Sequence, residues 1–581
     1  MSHYAEHLLK ILLLPGILLG LLTLTRWLPL RRRQAWRRLS RSWSALSNRR
    51  GLSAALLCLP LILSVALFAA WHGVPIPAIH DEFSYLLAAD TFASGRLTNP
   101  THPMWVHFES FHIIHLPTYM SMYPPLQGAV LAVGILLGHP WLGVLLASLA
   151  AILLLWWAAR QWLPPRWALL AGAFGALLFI GTYWTQSYWG GSVNAAAGAV
   201  VCGAAGMLGS AQAARRRPRT GEELAGWPGG SQSVVRTLPG SRLTSKGLAL
   251  FAAGALLCAA SRPFEGGVLC LFFSLWLVYT HLRVRPPQAP LRLSIVGPAV
   301  LVLLSGISLI LAHNKAVTGH PLRLPYQAAF DQYFPKGRFL FEQVNRAPVY
   351  RHSVMQQAYQ SFNWTKQRPL TRIYSSYTSL QEYYLGIPLF TLFILALPSL
   401  ASAGIRAPIL AAYTGAAALV AIPVVLPHYY APFAAPFLIA CVHSVRTLPR
   451  LFRLSRRRAW LACAAVLVLT LFQYGDRLGS AARGPSPREA WAANRARIER
   501  ELLLLPGHDL VIVRYNPDHN IHREWVYNRA GIDSAEVVWA RAMDEQRNIE
   551  LQRYFASRRI WLLDADETPP RLTEFIPPPP Q

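Results

Sequence analysis

Charged residues are scarce in this 581-residue chain: they make up 14% of it, against about 25% in an average soluble domain. Hydrophobic residues make up 53%, and the mean hydropathy is +0.29. Both values argue against a water-soluble enzyme with ordinary domains. Cysteine is also scarce. The six cysteines lie inside apolar runs and form no C-x-x-C pair. The sequence therefore indicates neither a zinc motif nor a disulfide framework, and we interpret the cysteines as small buried hydrophobes.

Acidic residues are outnumbered two to one, with 27 Asp and Glu against 55 Lys and Arg, which gives a formal net charge of +28. From Arg477 to the end, however, fifteen arginines balance fifteen acidic residues. The whole excess lies in the hydrophobic part, in short clusters between apolar runs. That distribution is typical of a polytopic membrane protein that follows the positive-inside rule. It argues against a basic groove for nucleic acid and makes membrane lipids the expected surroundings.

Twelve apolar runs are candidates for membrane spans, for which about 20 residues are needed. They lie near 11–29, 53–71, 141–159, 168–184, 192–211, 247–260, 264–281, 293–312, 383–401, 407–426, 430–445 and 459–475. Basic clusters separate them at Arg31–Arg50, Arg160–Arg166, Arg215–Lys246, Arg283–Arg292, around Arg406 and at Arg446–Arg458. If these clusters are cytoplasmic, the outer side receives residues 72–125, 185–191, 313–382 and the tail from about 477.

Two apolar segments are ambiguous. A span at Pro124–Gly138 would invert the charge rule downstream, so we interpret this short segment as a helix in the outer interface. The run at 11–29 is either a full span or a re-entrant anchor, and it lacks the cleavage site of a signal peptide. The predicted fold class is an all-α polytopic membrane protein with about 11–12 transmembrane helices, outer juxtamembrane helices and a small C-terminal α/β module.

Three regions follow from this organisation. Residues 1–50 form an N-terminal span and a basic cytoplasmic segment, and residues 51–476 form the transmembrane domain, with outer loops at 72–140 and 313–382. Residues 477–581 form an extracytoplasmic α/β domain. Its predicted strands are Leu510–Tyr515, Trp525–Tyr527, Val537–Trp539 and Ile560–Leu563, and its predicted helix is Asp544–Ser557. We interpret His519 and His522 as members of a solvated loop, with a metal-binding pair as the alternative.

Carboxylates near a membrane are costly and indicate function. Only eight acidic residues lie in the predicted outer loops before Asp476, and Asp81 and Glu82 are adjacent, at the start of an apolar helical stripe that Gly95 would end. The structural alternative for this pair is a helix cap followed by a first-turn acid.

The order of motifs around this pair resembles a known family. A span, Asp81-Glu82-x-x-Tyr85, a surface helix, Tyr123-Pro-Pro, an interfacial helix and another span look like the GT-C class of membrane glycosyltransferases. The resemblance is to relatives of protein O-mannosyltransferases and of the lipid A aminoarabinose transferase. It covers residues 53–280, is only architectural over 293–475 and is absent from the tail.

The resemblance implies a sugar donor carried on polyprenyl phosphate and a catalytic aspartate in the first outer loop. It makes Asp81 the general base, Glu82 its catalytic neighbour and Tyr85 a supporting group. This chain departs from the pattern in a histidine-rich first loop, whose members His80, His102, His107, His112 and His115 have no counterpart. No second acid can be matched, so no metal ligand is assigned and the need for a divalent metal stays open.

The departing phosphate needs a cation near the outer face. Arg262 lies in a short turn between two spans, and Glu265 could orient it, although both could instead form a structural pair bridging two helices. Lys315 and Arg323 are alternative phosphate ligands, or plain snorkelling cations. Tyr326 belongs to the same segment as Arg323 and is a further candidate for substrate contact.

Two aromatic outer turns complete the predicted substrate site. Trp189, in the turn 183–191, could stack on the sugar or the isoprenoid head, and the alternative is an interfacial aromatic belt. His428 and Tyr429 lie between two spans and could contact phosphate or acceptor, and the alternative for His428 is an ordinary interface histidine. Tyr123 of the Tyr-Pro-Pro motif is also assigned to substrate binding.

The function predicted from these residues is inverting transfer of a hexosyl or pentosyl group to a lipid, glycan or protein acceptor. The expected location is a bacterial-type inner membrane, with the site on its outer face. A transporter or flippase of lipid-linked sugars, and a surface-glycan ligase using the loop 313–382, are the alternatives. A receptor whose tail is the functional part ranks last, because a dozen spans exceed what anchoring requires.

Overall fold

A computed structural model describes most of the chain. The described residues are 33–180, 182–215, 244–282, 293–334, 339, 342, 348, 350–361, 369–402, 404–422, 425–451, 464–475 and 490–575. Helices predominate, and up to residue 361 they are Arg33–Asn48, Arg50–His72, His80–Ala93, Trp105–Phe108, Pro125–Leu136, Pro140–Trp162, Pro165–Leu177, Gly191–Arg215, Ser245–Ala259, Pro263–Leu282, Leu293–Thr318, Pro325–Tyr333 and Ser353–Ser361. A second group follows at Pro369–Ser379, Leu380–Leu385, Gly386–Ile394, Leu397–Ala401, Arg406–Ala418, Leu419–Ala421, Pro427–Phe433, Ala434–Leu451 and Ala464–Gly475.

Five helices of the described chain are long and apolar enough to cross a membrane. They are Arg50–His72, Pro140–Trp162, Gly191–Gly209, Pro263–Leu282 and Leu293–Thr318. Shorter apolar helices occur at Pro125–Leu136, Ser245–Ala259, Arg406–Ala421 and Ala464–Gly475. The chain is thus an integral membrane protein, mostly helical as predicted. The run at 11–29 and its two interpretations lie outside the described residues.

One long helix separates the basic clusters from the first outer loop. Pro140–Trp162 has 23 residues, so its ends are about 33 Å apart, close to the thickness of a hydrocarbon core. At its C-terminal end, Arg160 donates to the Ser47 carbonyl at 3.2 Å, and the Trp43 indole donates to the Arg166 carbonyl at 3.0 Å. The basic segments at 33–50 and 160–166 therefore lie together, which is consistent with the predicted charge asymmetry.

The segment at 124–138 forms a helix too short to span. Pro125–Leu136 has 12 residues and a length of about 18 Å. It packs closely on the helix His80–Ala93, since a Cβ at Gly128 would lie 2.5 Å from the Ala88 side chain. Its placement in the outer interface stays a prediction.

The predicted helix of the first outer loop is present, but it is mostly buried and does not lie on the surface, because it packs on the helix Pro125–Leu136 and on the C-terminal module. His80–Ala93 ends at Ser94, and Gly95 follows with φ of +74°. The Arg96 amide donates to the Thr91 carbonyl at 3.1 Å, which satisfies a helix-end carbonyl as a glycine C-cap does. Three short strands then form an antiparallel sheet in which Thr118–Ser121 lies between Asn99–Pro100 and Ile113–Ile114.

The C-terminal region is the predicted small α/β module. After the helix Ala490–Leu503, its four-stranded sheet has the spatial order Val537–Arg541, Asp509–Arg514, Arg559–Asp564 and Arg571–Phe575. The first three strands are parallel and the last is antiparallel. The crossover helix Glu545–Tyr554 is capped by Asp544, whose carboxylate accepts from the Arg547 amide at 3.0 Å.

Two predictions in this module were wrong. Trp525–Tyr527 is buried but is not a strand, because side chains satisfy its backbone: Arg495 donates to both the Trp525 and Tyr527 carbonyls. The solvated-loop prediction fails for His519, whose buried ring lies 2.6 Å from the Asp566 carboxylate, but holds for His522, which is exposed. A buried apolar triplet has the sequence pattern of a strand even when it is irregular. Here side chains, and not a neighbouring strand, are the hydrogen-bond partners of its backbone.

The module and the first outer loop share one hydrophobic core. Phe83, Leu87 and Phe108 from the loop pack in the same buried cluster as strands and helices of the module. Phe83 stacks on Tyr527 with ring centroids 4.1 Å apart and nearly parallel planes. The first turn of the helix that carries Asp81 is therefore packed directly against residues that follow it by more than 400 positions.

Candidate active site

In the helix that begins at His80, the side chains of the two adjacent acidic residues point in different directions. Glu82 turns back to cap its own helix: its Oε2 accepts from the Ala78 and Ile79 amides at 2.9 and 3.2 Å, and its Oε1 accepts from the Tyr188 amide at 2.9 Å. Burial raises the pKa of Glu82 to about 7 despite these three donors. The structural interpretation of the acidic pair therefore applies to Glu82, which ties the helix start to the aromatic turn.

Asp81 faces a different side of the helix, toward a cluster of aromatic and histidine side chains. The Tyr123 hydroxyl donates to Asp81 Oδ1, and His112 Nδ1 lies 3.6 Å from Asp81 Oδ2. Burial alone would favour the neutral acid, but the His112 ring 3.6 Å away and the hydrogen bond from Tyr123 hold the pKa of Asp81 below its ordinary value. The carboxylate is therefore ionised throughout the physiological pH range.

His112 is a member of this site that sequence reasoning did not assign. Its Nδ1 lies 3.0 Å from the Tyr123 hydroxyl, and its φ of +61° is unusual for a non-glycine residue. Its carbonyl accepts from the Ser84 hydroxyl at 2.7 Å and from the Met122 amide at 3.1 Å. Nothing in the sequence distinguished His112 from the other histidines of the first loop.

Arg262 supplies a buried cation to the same cluster. Its guanidinium lies 4.3 Å from the centre of the Tyr429 ring and 3.8 Å from Glu265 Oε1, and its side chain is 13% exposed. Tyr85 and Tyr326 lie close enough to Arg262 for its charge to influence their ionisation. Tyr85 also stacks on Tyr123 at 4.6 Å, so tyrosines connect the cation to the carboxylate.

The turn Pro427–Phe433 brings His428 to the same place. The His428 ring lies 4.8 Å from both the Trp189 and Tyr429 rings, and its Nδ1 is buried with no hydrogen-bond partner among the described residues. Burial and the Arg262 charge lower the pKa of His428, whereas the Asp81 charge opposes this shift. A neutral imidazole with an unused nitrogen can donate a hydrogen bond to a ligand or accept one from it, depending on the tautomer.

Close packing positions this turn. A Cβ at Gly198, in the helix Gly191–Arg215, would lie 1.9 Å from the Pro432 carbonyl oxygen. Because only glycine allows that approach, the helix and the turn meet backbone to backbone. The location of His428 thus depends on a residue far from it in sequence.

The structure brings most of the predicted site residues together. The cluster consists of Asp81, Tyr85, Tyr123, Trp189, Arg262, Glu265, Tyr326, His428 and Tyr429. Lys315 and Arg323 are separate from it: Lys315 is exposed, and Arg323 is paired with Asp331 at 2.9 Å on the surface. In the part of the chain that the structure describes, no three His, Cys, Asp or Glu side chains form a group that could hold a metal ion.

The C-terminal module forms one wall beside the cluster. His80 Nδ1 lies 2.8 Å from the Tyr527 hydroxyl, and the His80 ring is 5.9 Å from His522. Further along, Asp90 accepts from the Ala530 amide at 2.8 Å. The predicted domain boundary at 477 gave no indication of these contacts, since they join residues without any shared local pattern.

A buried ion pair reinforces this docking. Arg541 of the module lies 2.6 Å from the Glu524 carboxylate, and both side chains are fully buried. Arg541 also donates to the carbonyl of Glu109 in the first loop at 3.2 Å, and the Tyr333 hydroxyl donates to the Glu109 carboxylate at 2.8 Å. Three segments, the first loop, the helix Pro325–Tyr333 and the module, therefore meet through one buried polar network.

Comparison with known proteins yields structural likeness only. No protein-family model and no curated protein matches the sequence. The chain is similar to solved structures of an oligosaccharyltransferase and of ArnT.

One is ArnT from Cupriavidus metallidurans bound to undecaprenyl phosphate, with 13% identity, a TM-score of 0.44, and 88% of this chain and 92% of that chain covered. The same protein in the apo state has 14% identity, a TM-score of 0.41, and 89% and 93% covered. The apo oligosaccharyltransferase of Archaeoglobus fulgidus has 12% identity, a TM-score of 0.37, and 88% and 69% covered.

Proposed function

We propose that this protein is an inverting glycosyltransferase that moves a sugar from a polyprenyl-phosphate donor to an acceptor on the extracytoplasmic face of the membrane. The observation that carries the proposal is the convergence of a buried carboxylate, Asp81, and a buried cation, Arg262, in one aromatic cluster. Glycosyl transfer from a lipid phosphate needs both charges, one at the acceptor and one at the leaving group.

Asp81 is the general base in this proposal. As the acceptor oxygen or nitrogen attacks the anomeric carbon, its proton passes to the Asp81 carboxylate. The bond from the anomeric carbon to the phosphate oxygen breaks, and the lipid phosphate leaves with the bonding electrons. A single displacement of this kind inverts the anomeric centre and requires one base, whereas a retaining enzyme uses a second carboxylate as nucleophile.

Arg262 and His428 are the groups proposed to bind the phosphate. A guanidinium presents paired N–H donors that match phosphate oxygens, and Glu265 orients it from 3.8 Å. The unused Nδ1 of His428 is available for another hydrogen bond. Trp189 and Tyr429, which flank His428, offer aromatic faces to the sugar or the first isoprene unit.

Glu82 acts in this proposal as a positioning residue. Its carboxylate is occupied by three backbone donors, which leaves little capacity for a substrate. Lys315 and Arg323 are no longer needed as phosphate ligands, because Arg262 already lies in the cluster. Their exposed positions suit cations at the edge of a membrane.

The extracytoplasmic location is supported by charge. The basic segments at 33–50 and 160–166 lie at the C-terminal end of the helix Pro140–Trp162, and the first outer loop precedes its N-terminal end. Under the positive-inside rule, the basic end is cytoplasmic and the site is outside. In a bacterial-type inner membrane, this is the face on which lipid-linked sugars meet envelope acceptors.

The test is transfer by purified, membrane-reconstituted protein supplied with radiolabelled polyprenyl-phosphate sugars and candidate lipid, glycan and peptide acceptors. We expect Asp81→Asn to reduce transfer by about 10²- to 10⁴-fold, because an amide cannot accept the proton. Asp518→Asn, at an exposed position of the module, is the matched control and should retain wild-type activity. Equal rates for Asp81→Asn and wild type would exclude Asp81 as the base. Label that crosses the bilayer still attached to its lipid would favour the flippase alternative.

A further inference from the structure

Two side chains hold the Asp81 carboxylate, one on each oxygen. The Tyr123 hydroxyl donates to Oδ1, and His112 Nδ1 lies 3.6 Å from Oδ2. The hydroxyl and the imidazole are themselves 3.0 Å apart. The three groups form a closed triangle in which Tyr123 is already committed to its neighbours. A hydroxyl used in this way has little left to offer a sugar or a phosphate.

The backbone at His112 is adapted to this arrangement. A non-glycine residue with φ of +61° carries a conformational cost and persists only where its surroundings determine it. Here the His112 carbonyl accepts two hydrogen bonds, and one donor, the Ser84 hydroxyl, lies 2.7 Å from the Ser121 hydroxyl. Ser84 stands on the helix of Asp81, three residues beyond it. The same helix thus fixes both the carboxylate and the backbone that delivers the imidazole.

We propose that His112 and Tyr123 are positioning residues for the transfer, which keep the Asp81 carboxylate ionised and oriented toward the acceptor without touching the donor. This inference rests on the proposed function. It changes the role expected for Tyr123 from substrate contact to support of the base, and it gives a role to one of the histidines that the family resemblance left unmatched.

Among the described residues, the other groups around Asp81 give weaker support, and Arg262 is connected to it only through the tyrosines. The further groups that face Asp81 electrostatically are His80, Glu82, Tyr85, Tyr326, His428, Tyr429 and Tyr527. Burial lowers the pKa of His80 to about 3, and burial also lowers the pKa of His428, so both rings are neutral. The tyrosines are neutral and Glu82 can only add negative charge. Without His112 and Tyr123, burial would raise the pKa of Asp81.

The variants that test this are Tyr123→Phe, His112→Gly and His112→Asn. Glycine accepts the positive φ at 112 without strain, so His112→Gly removes the imidazole while keeping the turn. Asparagine also tolerates that conformation, and its amide can donate where Nδ1 does. For Tyr123→Phe and His112→Gly we expect kcat to fall by about 10²-fold while the donor KM stays within about threefold. An acidic limb should appear at a higher pH than in the wild type, because burial raises the pKa of Asp81 once these neighbours are gone. His112→Asn should recover most of the loss in kcat but only part of the pH shift, because its amide can donate a hydrogen bond but carries no charge.

The outcomes separate this inference from the proposed function. If wild-type protein transfers sugar but Tyr123→Phe and His112→Gly keep its kcat and its pH profile, the positioning role is wrong. A rise in donor KM at unchanged kcat would instead place Tyr123 against the donor and also refute the inference. Failure of wild-type protein to use any polyprenyl-phosphate sugar would refute the proposed function itself. His508→Gln, at an exposed histidine of the module, should behave as wild type. Should His112→Gly not fold, Tyr123→Phe alone decides.

Discussion

Glu82→Gln gives a prediction about stability that depends on the direction in which Glu82 faces. Its carboxylate is buried and its pKa is raised from 4.5 to about 7. Between those two values the folded protein binds more protons than the unfolded chain does. The free energy of unfolding of the wild type therefore falls as the pH rises from about 4.5 to about 7. Glutamine cannot titrate, so this dependence disappears in the variant.

The size of the effect follows from the shift. About 2.5 pKa units at 1.36 kcal/mol each correspond to about 3 kcal/mol. At pH 5 the wild-type carboxyl is mostly neutral, and the variant should be less stable by about 1–2 kcal/mol, because one oxygen that accepted backbone N–H groups becomes an amide nitrogen. Toward pH 8 the difference should close or reverse, since only the wild type then carries a buried charge.

The assay is thermal or denaturant unfolding of the detergent-solubilised protein at pH values from 5 to 8. Glu574→Gln, at an exposed position of the last strand, is the control and should follow the wild-type curve. Parallel curves for Glu82→Gln and wild type would refute the reasoning, since Glu82 would then titrate normally. That result would also reopen a catalytic role for Glu82. An unshifted pKa would mean that the Glu82 carboxylate is in contact with solvent and therefore accessible to a substrate.

Three further predictions concern the packing around the site. Arg262→Lys should raise the donor KM by about 10- to 100-fold, because an ammonium loses the paired geometry on phosphate; measuring KM and kcat separately checks this. Gly198→Ala should reduce transfer, since its methyl group would meet the Pro432 carbonyl at 1.9 Å and displace that turn, whereas unchanged kinetics would show that the turn is not part of the site. Phe83→Ala should lower the free energy of unfolding by about 3–5 kcal/mol, because it removes the stack on Tyr527 from the core that the first loop and the module share. Both regions should then become sensitive to protease, and cleavage confined to one of them would contradict a common core.

Local sequence patterns determined the elements that surround the site. The apolar stripe after Asp81 and the glycine at 95 predicted the helix His80–Ala93 and its end, and both are present. The strands and capped helix of the module followed from the same kind of pattern, with Trp525–Tyr527 as the exception. These predictions succeed because periodicity and caps report interactions among residues that are close in the chain.

The relation between Asp81 and Glu82 needed more than local pattern. Adjacent residues on a helix point about 100° apart, so one of the pair had to face away from the other. Which of them faces the cluster depends on the hydrogen-bond donors on each side of the helix. One of these donors, the Tyr188 amide, lies more than 100 residues downstream. No spacing in the sequence contains that information.

By itself, the sequence determined that the protein is a multispanning membrane protein, where its charges divide, and which loop segments carry the chemistry-bearing residues. Hydropathy and charge act through transfer from water to lipid, which each segment undergoes largely on its own. Only the tertiary structure decided that His112 and Tyr123 hold Asp81, that Arg262 and His428 join it, and that the C-terminal module is packed against the same helix. Those arrangements come from close packing and hydrogen bonds between distant segments. The free energy of each such contact depends on both partners, so the sequence of either segment alone does not predict it.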